Sequence, residues 1–343
     1  MRIAQVSPPW LAVPPKGYGG IEWVVALLAD GLVERGHDVS LFATGDSETK
    51  ANLEYVFAEA PGPKLINDIW HDTVHSLFAF RDPSRFDVFH VHSPWSALVA
   101  GSMSLVPTVH TLHGSFTAEM RQLYAGVADR VWFVAISEAQ KRHMEDLRYA
   151  GVVHNGIDVD RYPYMEEKGD FVLFLGRAAP EKGLLRAVLA AREAGEKLVC
   201  ALKVAHPTEE EHFENEVKPV LPPDAEVQGE ITHEAKANLL ARAKALLFPI
   251  DWDEPFGLVM AEAMACGTPV IATPRGAVPE VIADGETGFI VSVERYAEEA
   301  AERLRHLGEI DPAACRRRVE ERFSKDAMVA GYERIFEGVV SEA

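Results

Sequence analysis

Two glutamates eight residues apart carry the most chemical information in this 343-residue chain. Glu254 opens the turn Glu-Pro-Phe-Gly-Leu, and Glu262 sits inside Val-Met-Ala-Glu-Ala-Met-Ala. An ionised carboxylate accepts hydrogen bonds and donates none, which suits it to sugar hydroxyls. Phe256, Gly257 and Leu258 lie between the two acids, where an amphipathic helix begins. A helix start offers free N–H groups and the positive end of its dipole, and both suit a phosphate. A sugar carried on a diphosphate needs both kinds of group together. Glu262 has apolar neighbours on either side, so it needs hydrogen-bonding partners to offset its desolvation.

Two cations have comparable spacing. The run Phe171-Val-Leu-Phe-Leu-Gly-Arg-Ala-Ala-Pro-Glu-Lys-Gly183 reads as a strand ending near Gly176, with Arg177 and Lys182 in the loop that leads into a helix. Arginine binds phosphate oxygens in a fork, and lysine adds a mobile point charge. Near the N-terminus, Gly19 and Gly20 separate the first strand from the first helix, allowing close backbone approach to a ligand. Glu22, in the first turn of that helix, reads as a charge complementing the dipole. His113 ends the strand His110-Thr-Leu-His-Gly114, and its ordinary basicity suits reactions near neutral pH. His90 and His92 end another strand, with His92 placed to face an acceptor. Ser137 before Glu138 reads as a helix cap.

The acid-bearing segment, continued by Ala-Met-Ala-Cys-Gly-Thr-Pro-Val-Ile-Ala, resembles the signature of retaining nucleotide-sugar glycosyltransferases of the GT-B fold, the group 1 or family 4 type. The resemblance runs from Met1-Arg-Ile-Ala to Phe323-Ser324 and includes Gly-Arg-x-x-x-x-Lys-Gly at residues 176–183. It implies that Arg177 and Lys182 bind the diphosphate with Gly19 and Gly20 nearby, and that His113 contacts the donor sugar. It further implies that Gly229, Glu230 and Ile231 meet the nucleotide base through backbone groups, with Leu240 close by. Lys203 and His206 end a strand on the same side. His154-Asn-Gly-Ile-Asp158 matches a turn beside the linker. Two departures stand out. Ala201-Leu202-Lys203 replaces the usual Ala-Gly, and Lys325 follows Phe323-Ser324 where an aromatic is common.

These residues need a frame that brings strand ends together. Strands are expected at 3–6, 39–43, 88–91, 108–111 and 131–135, and again at 171–175, 198–201, 225–227, 245–248, 270–272 and 289–291. A helix is expected over 21–32, and helical patterns alternate with most other strands. That alternation predicts parallel, doubly wound sheets. The expected fold is α/β: two Rossmann-like domains facing an interdomain cleft. Residues 1–158 form the acceptor side, 159–322 the nucleotide-sugar side, and 323–343 a helix packing back on the first domain. Residues 156–170 read as the linker, and 45–85 as helix plus loop.

Bulk properties limit the alternatives. The formal net charge of −19 is shared by both halves, so nucleic acid and anionic bilayers are poor partners. Arg316-Arg-Arg318, followed by two glutamates, reads as a solvated face. No run approaches a membrane span, and the N-terminus lacks a signal-peptide layout, which predicts a cytoplasmic protein without integral membrane association. Cys200, Cys266 and Cys315 lack metal spacing and read as reduced. No metal site and no cofactor are expected. The donor is a nucleoside-diphosphate sugar, of UDP type by preference, and the acceptor is an unidentified hydroxyl. Front-face attack with retention is the expected route, with Glu254, Arg177, Lys182 and His113 at the chemistry and Glu262 on the ribose. The alternatives are a catalytically silent nucleotide-sugar-binding subunit and a nucleotide-sugar epimerase on the same fold.

Overall fold

The computed structural model describes every residue except Tyr18 and Pro94. Two compact units divide the chain: Met1–Ile157 with Ser324–Ala343, and Asp158–Phe323.

The first unit is built on a seven-stranded parallel sheet of β1 (Arg2–Val6), β2 (Asp38–Phe42), β3 (Asn52–Glu54), β4 (Val88–Val91), β5 (Thr108–Thr111), β6 (Trp132–Ala135) and β7 (Tyr149–Val152). Their order is β3-β2-β1-β4-β5-β6-β7. The central strands are buried nearly throughout, as a parallel sheet covered on both faces requires. Both edge strands escape the sequence pattern. Asn52-Leu-Glu54 is too short and polar, and Tyr149–Val152 is only half-buried. Residues 45–85 hold β3, two short 3₁₀ turns and the helix Ile69–Ala79, capped by Asp68.

The helix Gly20–Glu34 packs against the C-terminal helix Lys325–Glu342. Contact is close because Gly31 has no side chain; a Cβ there would lie 2.5 Å from Val329 Cγ2. Charge fixes the register. Lys325 reaches Glu34 at 2.8 Å, and His37 meets Glu333 at 2.9 Å. Lys325, the departure from the aromatic pattern, thus holds the helix by an ion pair. The chain leaves and re-enters this unit at one place, where the Lys325 N–H donates to the Ile157 carbonyl at 2.8 Å.

The second unit repeats the winding with six parallel strands: β8 (Phe171–Arg177), β9 (Lys197–Lys203), β10 (Glu226–Gln228), β11 (Leu246–Phe248), β12 (Val270–Ala272) and β13 (Gly288–Ile290), ordered β10-β9-β8-β11-β12-β13. Two expectations are corrected here. The stretch 156–170 is a free linker for only a step, because Lys168 Nζ donates to the carbonyls of Ala241 and Cys266 at 3.0 Å each. Nor are Arg316 and Arg318 a solvated face. Arg316 donates to the carbonyls of Tyr162 and Ala265, and Arg318 to those of Glu280 and Val281. Their guanidinium groups satisfy carbonyls left open at helix ends. All three cysteines are buried and free. Among the described residues no helix is long and apolar enough to cross a membrane.

Gly183 shows how tightly the loop after β8 is held. Its φ is +77°, and a Cβ would come within 2.0 Å of the Pro249 carbonyl oxygen. Gly183→Ala is expected to destabilise the protein by about 2 kcal/mol or more, combining a left-handed backbone penalty with a clash. A denaturation midpoint equal to wild type would contradict this.

Candidate active site

In an open parallel sheet, the loops at the carboxyl ends of the strands diverge where the strand order reverses, and ligands bind there. In the second unit the reversal falls between β8 and β11. Arg177 ends β8, the loop after it carries Lys182, and the loop after β11 carries Glu254. Lys182 Nζ donates to Glu254 Oε2 at 2.8 Å and lies 4.3 Å from the centre of the Trp252 ring. The Glu254 backbone is anchored in turn, its carbonyl accepting the Ala277 N–H at 2.9 Å.

Arg177 is also partnered. Its Nε donates to Glu209 Oε1 at 2.8 Å, with a second contact from Nη2 to the same oxygen. Burial alone would push Glu209 up. The Ala205 N–H and Arg177 outweigh it and hold the carboxyl below its ordinary value. Each of the two cations is thus paired with an acid, which orients it while reducing its field. Lysine has three donors and arginine five, so both keep donors for a ligand.

Gly257, with φ +80°, precedes the helix Leu258–Ala265, and no side chain among the described residues caps that helix. Its first-turn N–H groups and dipole point out of the segment containing Phe256, Gly257 and Leu258, as an anion site requires. Glu262, on the second turn, is 6% exposed. Lys236 Nζ reaches its Oε1 at 2.6 Å, and the Tyr162 hydroxyl donates to the same oxygen at 2.9 Å. Burial and the neighbouring carboxylate raise the Tyr162 pKa, so the phenol keeps its proton. Both bonds fall on one oxygen, and Oε2 of Glu262 has no hydrogen bond among the described residues. Glu254 is alike: Lys182 takes Oε2, and Oε1 has no hydrogen bond among the described residues.

Gly229, Glu230 and Ile231 follow β10 in the loop after the strand, and Gly229 and Glu230 are exposed. Leu240 is wholly buried core. Lys203 ends β9 and approaches Glu230 at 3.9 Å, while His206 is exposed. The Lys203 carbonyl accepts the Ala178 N–H at 3.0 Å, tying the Ala201-Leu202-Lys203 departure to the Arg177 loop.

The first unit reverses between β1 and β4. Gly19 and Gly20 follow β1, His92 follows β4, and His113 follows β5. A Cβ on Gly19 would lie 2.7 Å from Pro15 and 2.8 Å from Glu22 Oε2. His113 is partly exposed. Its Nε2 lies 2.9 Å from His92 Nδ1, and His92 Nε2 lies 2.9 Å from Gln5 Oε1. Three expectations change. Burial lowers the His113 pKa to about 4, so the ring is neutral at pH 7 and does not titrate near it. His92 is buried and faces Gln5 and His113, so it is not open to an acceptor. Glu22 is a buried carboxyl, not a solvated charge on the dipole. Ser137 caps its helix by accepting the Gln140 N–H at 3.0 Å.

Sequence inspection missed Glu209, Lys236, Tyr162 and Gln5. Each is distant in the chain from its partner and lies in no motif. The one signal was the enclosure of Glu262, which demanded a partner without naming it.

Burial raises the Glu22 pKa from 4.5 to about 7. The native state therefore binds the proton more tightly than the unfolded chain, and this group's contribution to stability falls as pH rises from about 4.5 through 7. Glu22→Gln should be close to wild type in stability at pH 5 and more stable by about 2–3 kcal/mol at pH 8. Denaturant titrations at both values test this, and parallel pH profiles for the two proteins would contradict it.

Comparison with known proteins gives the same picture. The model for glycosyl transferases group 1 matches residues 161–325, and that for glycosyltransferase family 4 matches residues 18–161. The phosphatidyl-myo-inositol mannosyltransferase of Mycolicibacterium smegmatis is 30% identical, over 86% of this chain and 81% of that protein. AviGT4, a glycosyltransferase involved in avilamycin A biosynthesis, is 27% identical with a TM-score of 0.72, covering 100% of this chain and 98% of its own. HepE from Anabaena, solved in complex with UDP-glucose, shares the fold at 18% identity and a TM-score of 0.73, covering 99% of each chain. With two Rossmann-like parallel-sheet units carrying these residues at their strand ends, the chain belongs to the group 1 glycosyltransferases of the GT-B fold.

Proposed function

We propose that this glycosyltransferase moves a sugar from a nucleoside diphosphate, of UDP type, to a hydroxyl acceptor with retention of anomeric configuration. The observation carrying this is the treatment of the two acids. Glu254 and Glu262 each have one oxygen held by a lysine and the other without a hydrogen bond among the described residues. A carboxylate fixed by one oxygen and open at the other suits a sugar hydroxyl. In this scheme Glu254 orients the transferred sugar and Glu262 holds the ribose. UDP-glucose is the ligand of HepE, and a nucleotide sugar is proposed for this chain by its own chemistry.

The bond from the anomeric carbon to the diphosphate oxygen breaks as negative charge grows on the diphosphate. Arg177, Lys182 and the open N–H groups at Leu258 supply the positive field that stabilises it. These groups belong to the chain, and no divalent ion is required. The acceptor oxygen bonds to the same carbon from the same face, and its proton passes to a departing phosphate oxygen. Retention through a glycosyl-enzyme would need a carboxylate on the opposite face of the ring. Glu254 is tied to Lys182, the residue assigned to the leaving group, so it stands on the leaving side. His113 hydrogen-bonds the sugar, and the backbone at Gly19 and Gly20 approaches the diphosphate. Gly229, Glu230 and Ile231 offer backbone groups to the base.

Steady-state kinetics separate these roles. Glu262→Gln should raise the donor KM about tenfold to a hundredfold with a smaller change in kcat, since one charged hydrogen bond is weakened before and during reaction. Lys182→Met and Arg177→Met should lower kcat about a hundredfold or more. Thermal shift with UDP, GDP and ADP identifies the nucleotide. Donor altered without an acceptor and without release of nucleoside diphosphate would point to an epimerase. Ligand binding with no turnover toward any acceptor or water would point to a silent binding subunit. Unchanged kinetics in all three variants would end the site assignment.

A further inference from the structure

Three neighbouring strands of the first unit each deliver one side chain to a single hydrogen-bonded row. Gln5 is on β1, His92 directly follows β4, and His113 follows β5. The Gln5–His92 bond spans the point where strand order reverses. Gln5 Oε1 to His92 Nε2 is 2.9 Å, and His92 Nδ1 to His113 Nε2 is 2.9 Å. The two imidazoles lie nearly parallel, with ring centres 5.2 Å apart. Gln5 and His92 are buried, 0% and 1% exposed.

A neutral imidazole carries one N–H and one lone pair, so its two nitrogens have opposite roles. Burial lowers the pKa of both histidines, which keeps both rings neutral. An amide oxygen only accepts, so His92 Nε2 holds the proton facing Gln5. His92 Nδ1 is then a lone pair, and His113 Nε2 must donate to it. The remaining nitrogen, His113 Nδ1, is left as an acceptor. The row is also costly, because Gln5 Nε2 is buried without a hydrogen-bond partner among the described residues. An unpaired buried polar atom calls for an explanation, and a functional role is one.

We propose that Gln5 and His92 are positioning residues that hold His113 in its Nε2–H tautomer, so that Nδ1 accepts a hydrogen bond from a hydroxyl of the donor sugar. This rests on the assignment of His113 to the sugar made above. His92 does not touch the ligand; it acts by deciding which nitrogen His113 presents. A donor sugar lacking that hydroxyl would lose the benefit of the row. A ring with the opposite tautomer would set N–H against O–H, where one of the two donors must turn away.

Two-bond ¹⁵N–¹H correlation spectra of ¹⁵N-histidine protein report the tautomer directly, with the His113 signals identified by their loss in His113→Ala. The expected wild-type pattern is a protonated Nε2 and a bare Nδ1. In His92→Phe the inward N–H would have no buried acceptor, so His113 should shift toward the Nδ1–H form and kcat should fall ~tenfold, the equivalent of about one hydrogen bond. His92→Asn keeps an acceptor near the Nδ1 position and should recover most of that loss. A structural role for the ring would instead make the smaller Asn the worse variant. If His92→Phe fails to fold, Gln5→Leu frees the far end of the row, and the same tautomer shift is expected. A wild-type His113 with Nδ1 protonated overturns the proposal, as does an unchanged tautomer in whichever of these variants folds. The underlying assignment fails separately: wild-type transfer by His113→Ala would remove His113 from the sugar even with the row intact.

Discussion

Parallel pairing is the constraint on which the rest of this molecule depends. A parallel strand cannot turn back on its neighbour, so each connection must cross a face of the sheet, and all carboxyl ends share one edge. Winding both ways from the first strand then opens two adjacent loops at the reversal. Both units have that order, β3-β2-β1-β4 and β10-β9-β8-β11. The Lys182–Glu254 bond spans one reversal and the Gln5–His92 bond the other. Residues distant in sequence thus meet through backbone topology, and the side chains add only the final hydrogen bonds.

Electrostatics at these ends differ between the units. In the second, every important charge is matched: Arg177 with Glu209, Lys182 with Glu254, Lys236 with Glu262. Pairing makes partial burial tolerable and restricts the side chains to one geometry. It also leaves these cations as oriented donors beside a helix start. The first unit uses neutral groups. Four of its histidines, His90, His92, His110 and His113, are all held below their ordinary pKa chiefly by burial. Charge is handled on one unit, while direction of hydrogen bonding is handled on the other.

Closure of the first unit by the chain's last helix has a simple local chemistry. Gly31 removes a side chain where Val329 must sit, and Lys325 reaches Glu34. A lysine where an aromatic is common in similar sequences alters the means of attachment while the helix still packs there. Its aromatic face continues inward, where the Tyr332 hydroxyl meets Thr111 at 2.8 Å, and Thr111 meets His90 at 2.7 Å. The terminal helix therefore supports the strand that leads to His92.

Much of this was legible in the order of residues, because periodicity and spacing are local. Buried parallel strands are short runs rich in β-branched and apolar residues, so β4, β5 and β12 stand out at their observed limits, and the edge strands β3 and β7, paired on one side only, do not. The acids at 254 and 262, the cations at 177 and 182, and the helix start between Phe256 and Leu258 are short-range patterns of the same kind. Partners are different. Nothing near Glu262 announces Lys236 or Tyr162, nothing near Arg177 announces Glu209, and Gln5 reads as an ordinary strand residue. Protonation followed suit: His113 and Glu22 have familiar pKa values as amino acids, and only the folded chain's exclusion of water moves them. The linear chain determined which chemical groups were present and on which elements. Tertiary packing alone decided which of them touch, because desolvation and hydrogen bonding depend on neighbours in space, not in sequence.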